Sequence, residues 1–369
     1  MKELNKDIRV IISGGGTGGH IFPAISIADE LKNRNMSTEI LFVGALNRME
    51  MERVPAAGYK IVGLPVSGLQ RKFTFKNFNV IIDLFRSLRI AKRIIHDFKP
   101  QVVIGVGGYA SGPLLQVALK KGIPALIQEQ NSFAGITNRL LAKKVSRICV
   151  AYSGMERYFP KDKIVVTGNP VRNIEISESL RQKGFEYFNL RKNIPVLLII
   201  GGSLGARTIN ESIIENINLL NRSDLQVIWQ TGEYYFNEVK NSTDKLEGTA
   251  IHLYDFITRM DLAYNVADLV ISRAGAISIS ELCLTGRPAI LIPSPNVAED
   301  HQTKNTKALV DAGAAVMVKD RHAKKDLVSQ ILTLMNDTNL RKELSENIKK
   351  LAKPNSAIAI VDEVYKLIK

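Results

Sequence analysis

The stretch "RVIISGGGTGGHIFPAISIADEL" (residues 9–31) passes from a β-branched run through a cluster of glycines into a helical pattern. The same layout returns in the second half of the chain as "VLLIIGGSLGARTINE" (196–211). A strand that opens into a glycine turn and then a helix is how a Rossmann-like sheet begins, and such sheets bind ligands at the carboxyl ends of their strands. A chain of 369 residues is too long for one typical core. Two copies of the unit therefore predict two Rossmann-like α/β domains facing a cleft, each presenting one glycine loop to a shared ligand space.

The rest of the chain follows the same scheme. Strands are expected at "IRVIIS", "TEILFVG", "YKIVGL", "QVVIGV", "PALIQE", "RICVAY" and "KIVVTG", then at "PVLLIIG", "LQVIWQTG", "AIHLYDF", "LVISR", "AILIPS" and "AAVMV". Amphipathic helices such as "AISIADELKNRN" and "GPLLQVALKKG" lie between them. Continuous Val/Ile runs separated by helices indicate parallel sheets buried on both faces. The segment 167–194 interrupts the alternation, which places the N-terminal domain at 1–168 and the C-terminal domain at 169–353. Pro354 splits the tail, and the last helix, 354–369, is expected to cross back onto the first domain.

Two familiar readings of the glycine loops fail. The first loop fits the dinucleotide fingerprint G-x-G-x-x-G, but its second strand ends in Gly44-Ala45-Leu46, with no carboxylate to hold ribose hydroxyls. The second fits the G-x-S-x-G elbow at Ser203, but no oxyanion-loop motif accompanies the later histidines, and a nucleophile elbow belongs in the middle of a sheet. What remains is to bring backbone N–H groups and a helix N-terminus up to phosphate. A third glycine loop, "GVGGYASGP" (105–113), and a formal charge of +14 favour an anionic ligand. The basic residues are spread without aromatic stacking motifs, so nucleic acid is not expected as a partner. Cys149 and Cys283 lie far apart in apolar stretches and read as buried free thiols of a cytoplasmic protein. The N-terminus has no hydrophobic h-region, and no run is apolar enough to span a membrane.

Taken in order, "SGGGTGGH", "GVGGYASGP", "EQNSFAGITNR", "GNPVR", "GGSLGA" and "SRAGAISISEL" resemble the MurG family across nearly the whole chain. The resemblance implies the glycosyltransferase-B fold and a hexosyltransferase that moves GlcNAc from UDP-GlcNAc to the C4 hydroxyl of MurNAc in undecaprenyl-pyrophosphoryl-MurNAc-pentapeptide. This converts lipid I to lipid II in peptidoglycan synthesis, with inversion. Many nucleotide-sugar transferases hold a metal on an Asp-x-Asp motif, but no two aspartates here stand two apart, so no metal and no cofactor are expected. The leaving diphosphate must then be met by helix N-termini, amides and a cation.

On the donor side the resemblance implies amide approach at Ala276, ribose binding by Glu281, and a donor-phosphate hydrogen bond from Ser203. It also implies nucleotide binding by Arg172 near the hinge, a backbone contact to uracil at Ile257, and sugar-hydroxyl recognition by Gln302. Thr17, Gly18, Gly19 and Asn131 match donor-sugar contacts, and Tyr109 is expected to touch the acceptor. The general base is His20 or Glu129; His20 suits proton transfer near neutral pH. The family's motif HEQN reads "QEQN" here, so Gln128 replaces a histidine and no catalytic role attaches to that position.

The segment 71–99 carries eight Lys/Arg against two Asp. Phe78, Ile81, Ile82, Phe85 and Leu88 follow helical spacing and are expected mostly in the core, whereas Phe73 and Phe75 among basic residues suit an interfacial anchor. With a lipid-linked substrate, this segment predicts peripheral attachment to an anionic membrane surface, the cytoplasmic face of the bacterial inner membrane, where other cell-wall synthesis proteins are possible partners.

Overall fold

The computed structural model describes residues 8–66, 76–172, 174–202, 204–244, 246, 250–297 and 300–368; at 76–79 and 81 it describes the helical backbone alone. The chain divides into two compact units, Met1–Arg172 with Asn355–Lys369, and Asn173–Pro354. The first unit extends past residue 168 because Asn169 is buried within it, accepting a hydrogen bond from Gln128 Nε2 and donating one to the Gln130 carbonyl, both at 3.2 Å.

The first unit is built on a seven-stranded parallel sheet: β1 (Arg9–Ser13), β2 (Glu39–Ala45), β3 (Lys60–Leu64), β4 (Val102–Gly105), β5 (Ala125–Glu129), β6 (Arg147–Val150) and β7 (Ile164–Val166), in the order β3-β2-β1-β4-β5-β6-β7. The second carries six parallel strands: β8 (Val196–Ile200), β9 (Gln226–Gln230), β10 (Ile251–Tyr254), β11 (Leu269–Ser272), β12 (Ala289–Leu291) and β13 (Val316–Met317), in the order β10-β9-β8-β11-β12-β13. Each run expected to be a strand lies in one of these sheets, shortened at one or both ends, while β2 also runs one residue further, to Ala45. In both units the strand order reverses beside the first strand, where an open α/β sheet forms its ligand crevice.

The unbroken apolar runs follow from burial on two faces. Along β1, Ile11 joins the core on one side of the sheet, while Val10 and Ile12 join the core on the other. Along β8, Leu197 and Ile199 alternate in the same way with Val196, Leu198 and Ile200. The C-terminal helix Ser356–Leu367 packs on the first unit, inserting Ile360, Val361 and Val364 into its core. Burial of each such side chain stabilises by roughly 1.5–3 kcal/mol. Arg34 pairs with Asp362 at 2.5 Å, and Arg147 with Glu363 at 3.2 Å, fixing the helix in register.

Two expectations change. The first helix spans Gly18–Arg34, so it begins inside the glycine stretch and not at Ala24. In the helix Lys76–Phe98, Leu88 packs against the core, but Ile82 and Phe85 are exposed, because the core contact runs along Leu88, Ala91, Ile94 and Ile95. Phe73 and Phe75 and the side chains of Phe78 and Ile81 lie outside the described residues. Cys149 and Cys283 are buried and free, and burial pushes both thiols up, Cys283 to about 12. Among the described residues, no helix is long and apolar enough to cross a membrane.

Candidate functional site

In the first unit the glycine loop leaves β1 and folds over a carboxylate. Glu50, only 1% exposed, accepts the Gly16 N–H and the Ala45 N–H, each at 2.9 Å. A Cβ built on Gly15 would fall 2.0 Å from Glu50 Oε1, so only glycine lets the loop lie this close. Beyond it, Thr17 is the extended N-cap, and the His20 and Ile21 N–H groups return to its carbonyl at 3.0 and 3.2 Å. Helix geometry leaves the Gly18 and Gly19 N–H groups directed out of the helix start.

The loop after β4 interlocks with this one. A Cβ on Gly108 would meet the Gly15 carbonyl oxygen at 2.5 Å, and one on Gly107 would meet His20 Nε2 at 2.9 Å. His20 Nδ1 lies 3.1 Å from the Gly15 carbonyl, which can only accept. The ring therefore carries its proton on Nδ1, leaving the Nε2 lone pair over Gly107. Burial lowers the His20 pKa, opposed by the charge of Glu129, the Gly15 carbonyl and the charge of Glu50. The net effect is downward, which favours the neutral imidazole that a proton acceptor must be.

Glu129 ends β5 and is buried. One oxygen accepts the Gly135 N–H and Asn138 Nδ2, both at 2.9 Å; the other accepts the Asn131 N–H at 3.2 Å and Asn131 Nδ2 at 3.5 Å. With four donors on two oxygens, it organises the 129–138 loop and contributes negative charge toward His20. Tyr109 projects from the loop after β4 and is exposed. Gln128 is fully buried in an amide cluster, donating to Asn169 and accepting from Gln130, whose Nε2 also donates to the Val106 carbonyl at 2.8 Å. Arg172 sits in this unit, with its guanidinium 5.0 Å from the centroid of the Phe22 ring.

In the second unit the loop after β8 packs on the loop after β9. A Cβ on Gly205 would fall 2.2 Å from the Thr231 carbonyl oxygen, and one on Gly232 would fall 2.4 Å from the Gly205 nitrogen. Beneath it lies a neutral amide: Gln230 Nε2 donates to the Gly202 carbonyl at 2.9 Å, and Gln230 Oε1 accepts the Ile257 N–H at 2.9 Å. Ile257 can thus offer a ligand its carbonyl but not its N–H. Ser203 lies outside the described residues.

The loop after β11 leads through Arg273, Ala274 and Gly275 to the helix Ala276–Thr285, whose N-cap Gly275 makes no side-chain cap and keeps the helix start open. Arg273 is tied down by Asp320, which also accepts from Thr208 at 3.1 Å, and by the Ile292 carbonyl at 3.2 Å. Glu281 is buried, and Tyr264 donates its hydroxyl to Oε2 at 3.0 Å. Gln302 accepts the Ser294 N–H through Oε1 at 2.8 Å, which turns its amide group toward other acceptors. Ile257, Ala276, Glu281 and Gln302 thus all belong to elements that follow the carboxyl ends of the strands.

Four supporting residues were missed in the sequence. Glu50, Gln230 and Tyr264 carry no local signal, since a helix-start Glu, a strand-end Gln and a helical Tyr are ordinary. Arg273 had one: a lone long cation in a motif of small residues.

The family model for the glycosyltransferase family 28 N-terminal domain matches residues 10–150, and that for its C-terminal domain matches 196–359. A protein of Parabacteroides distasonis named UDP-N-acetylglucosamine–N-acetylmuramyl-(pentapeptide) pyrophosphoryl-undecaprenol N-acetylglucosamine transferase is 58% identical over 98% of both chains. Among solved structures, MurG of Acinetobacter baumannii aligns over 97% of this chain and 99% of its own, with a TM-score of 0.73 at 28% identity. A UDP-GlcNAc 2-epimerase of Neisseria meningitidis aligns over 98% of this chain and 100% of its own, with a TM-score of 0.67 at 15% identity, a likeness of fold alone. Two parallel-sheet α/β units of the glycosyltransferase-B type, matched by both domain models and by near full-length relatives, identify the chain as a member of the MurG family of glycosyltransferases.

Proposed function

We propose that the chain transfers GlcNAc from UDP-GlcNAc to the C4 hydroxyl of MurNAc in undecaprenyl-pyrophosphoryl-MurNAc-pentapeptide, inverting the anomeric carbon and releasing UDP. The observation that carries the substrate assignment is 58% identity to a transferase of that name across 98% of both chains. His20 Nε2 takes the hydroxyl proton as the oxygen attacks. Its Nδ1–H is held on the Gly15 carbonyl, so the ring stays in the productive tautomer. Thr17, Gly18, Gly19 and Asn131 face the donor sugar, and Tyr109 the acceptor. The charge that develops on UDP is met at the open start of the Ala276–Thr285 helix and by Arg172 and Ser203. Glu281 holds the ribose, the Ile257 carbonyl the uracil, and the free amide of Gln302 the sugar hydroxyls.

Membrane attachment belongs to the same proposal. Leu84, Pro113, Leu119, Leu140 and Leu141, with Lys120 and Lys144, line a groove of about 630 Å³ in the first unit. Phe85, Ile136 and Leu140 are 64%, 69% and 75% exposed. Apolar side chains among lysines suit the headgroup boundary of an anionic membrane. The basic helix Lys76–Phe98 adds Arg86 and Arg93, both largely exposed.

The test is UDP release by the purified chain from UDP-GlcNAc and the lipid-linked acceptor in vesicles. Release is expected only with acceptor present, faster on anionic than on zwitterionic vesicles, and unchanged by a chelator. Release without acceptor overturns the transferase assignment, equal rates on both vesicles overturn the membrane face, and loss of activity with chelator overturns metal-free chemistry.

A further inference from the structure

Glu50 is a buried carboxylate that the transfer mechanism above does not use. It lies at the start of the helix Glu50–Ala56, and among the described residues its hydrogen-bond partners are two backbone N–H groups, with no positive side chain. One partner, Ala45, ends β2, and the other, Gly16, sits in the exposed part of the first glycine loop with φ +88°. The carboxylate fills the space that Cβ atoms on Gly15 and Gly44 would need, at 2.0 Å from Oε1 and 2.5 Å from Cγ. It therefore clamps the loop to the sheet at the residue next to the carbonyl that orients His20.

We propose that Glu50 is a positioning residue. It holds the Gly15–Gly16 peptide so that the Gly15 carbonyl stays on His20 Nδ1, and it withdraws the Gly16 N–H from any anion. This rests on the assignment of His20 as the base. The groups facing His20 are the Gly15 carbonyl and the Thr17 hydroxyl from its own loop and the charges of Glu129 and Glu50; Gly107, packed on the ring from the loop after β4, brings none. Both carboxylates hold the His20 pKa up against burial, so removing Glu50's charge lowers it.

The experiment uses the full chain and the Glu50→Gln variant. The glutamine keeps the volume but presents an NH₂ group to one of two N–H donors, so the loop must shift. Histidine ¹⁵N NMR without substrate is expected to show His20 titrating at lower pH than in the parent, with loss of the pure Nδ1–H tautomer. In the transferase assay, kcat/KM for acceptor is expected to fall by about tenfold or more, as for an ångström-scale misplacement. Its acid limb should move to lower pH, while UDP affinity stays within about twofold, which also reports an intact fold. An unchanged His20 titration and tautomer overturn the proposal whatever the activity. Because the NMR readout needs no substrate, it stands even if transfer itself is not observed. Should Glu50→Gln not fold, amide exchange in the parent chain decides: the Gly16 N–H, on an exposed residue, is expected to exchange slowly, and fast exchange overturns the clamp.

Discussion

The two glycine loops share a layout, strand to glycines to helix, and each leaves the first strand of its own sheet. What lies beneath them differs. Under the first is the carboxylate of Glu50, with His20 at the start of the following helix. Under the second is the neutral amide of Gln230, which joins the Gly202 carbonyl to the Ile257 N–H. Two negative charges 4 Å apart repel by about 4 kcal/mol at an effective dielectric near 20. A phosphate settling into the first loop would face that repulsion and find the Gly16 N–H already taken. The sequence led us to expect a phosphate cradle at both loops. In the first, Glu50 takes the Gly16 amide and leaves those at Gly18 and Gly19, and in the reading proposed above the carboxylate instead holds the Gly15 carbonyl on His20. On that proposal the same backbone motif serves two tasks, separated by the side chain behind it.

That contrast can be broken from either side. The largest effect is expected from His20→Ala, which removes the proposed base: kcat should fall by about a hundredfold or more. In the parent, burial lowers the His20 pKa from its ordinary value, and the proposed base works only when neutral, so kcat/KM should rise with pH through a limb lying below the ordinary imidazole range. A near-normal rate for the variant would transfer the proton to another group, despite the four donors that occupy Glu129.

A smaller effect is expected from Gln230→Glu, which places under the second loop the kind of charge the first already has. A carboxylate still accepts the Ile257 N–H but faces the Gly202 carbonyl and the diphosphate. The KM for UDP-GlcNAc should rise by about tenfold, with kcat less affected. An unchanged donor KM would mean that this loop does not hold phosphate. The smallest change should come from Tyr264→Phe, which leaves Glu281 without the hydroxyl at 3.0 Å. Donor KM is expected to rise about two- to fivefold, the size of one lost hydrogen bond, with acceptor KM unmoved.

Much of the fold was legible in the chain. Strands β1 to β13 announced themselves as Val/Ile runs because a parallel sheet buried on both faces needs no polar alternation. The break at Pro354 suggested that the last helix crosses onto the first unit, and the structure shows that Ile360, Val361 and Val364 hold it there. The glycine loops marked the ligand ends of both sheets because close backbone approach excludes a Cβ. The exposure of Phe85 was not legible, since periodicity shows which residues share a helix face but not whether another layer covers it.

By itself, the order of residues determined the two-sheet architecture, the positions of the turns and the membership in a glycosyltransferase family, because these depend on local pattern and on motifs held in series. Tertiary structure alone decided which nitrogen of His20 bears the proton, why Glu129 is saturated, and that Glu50 and Gln230 stand behind the two loops. Glu50 and Gln230 reach residues 34 and 28 positions away, and the closer contacts of His20 and Glu129 depend on the path each loop takes over its sheet, so the charge at a site is the sum of what folding brings near it.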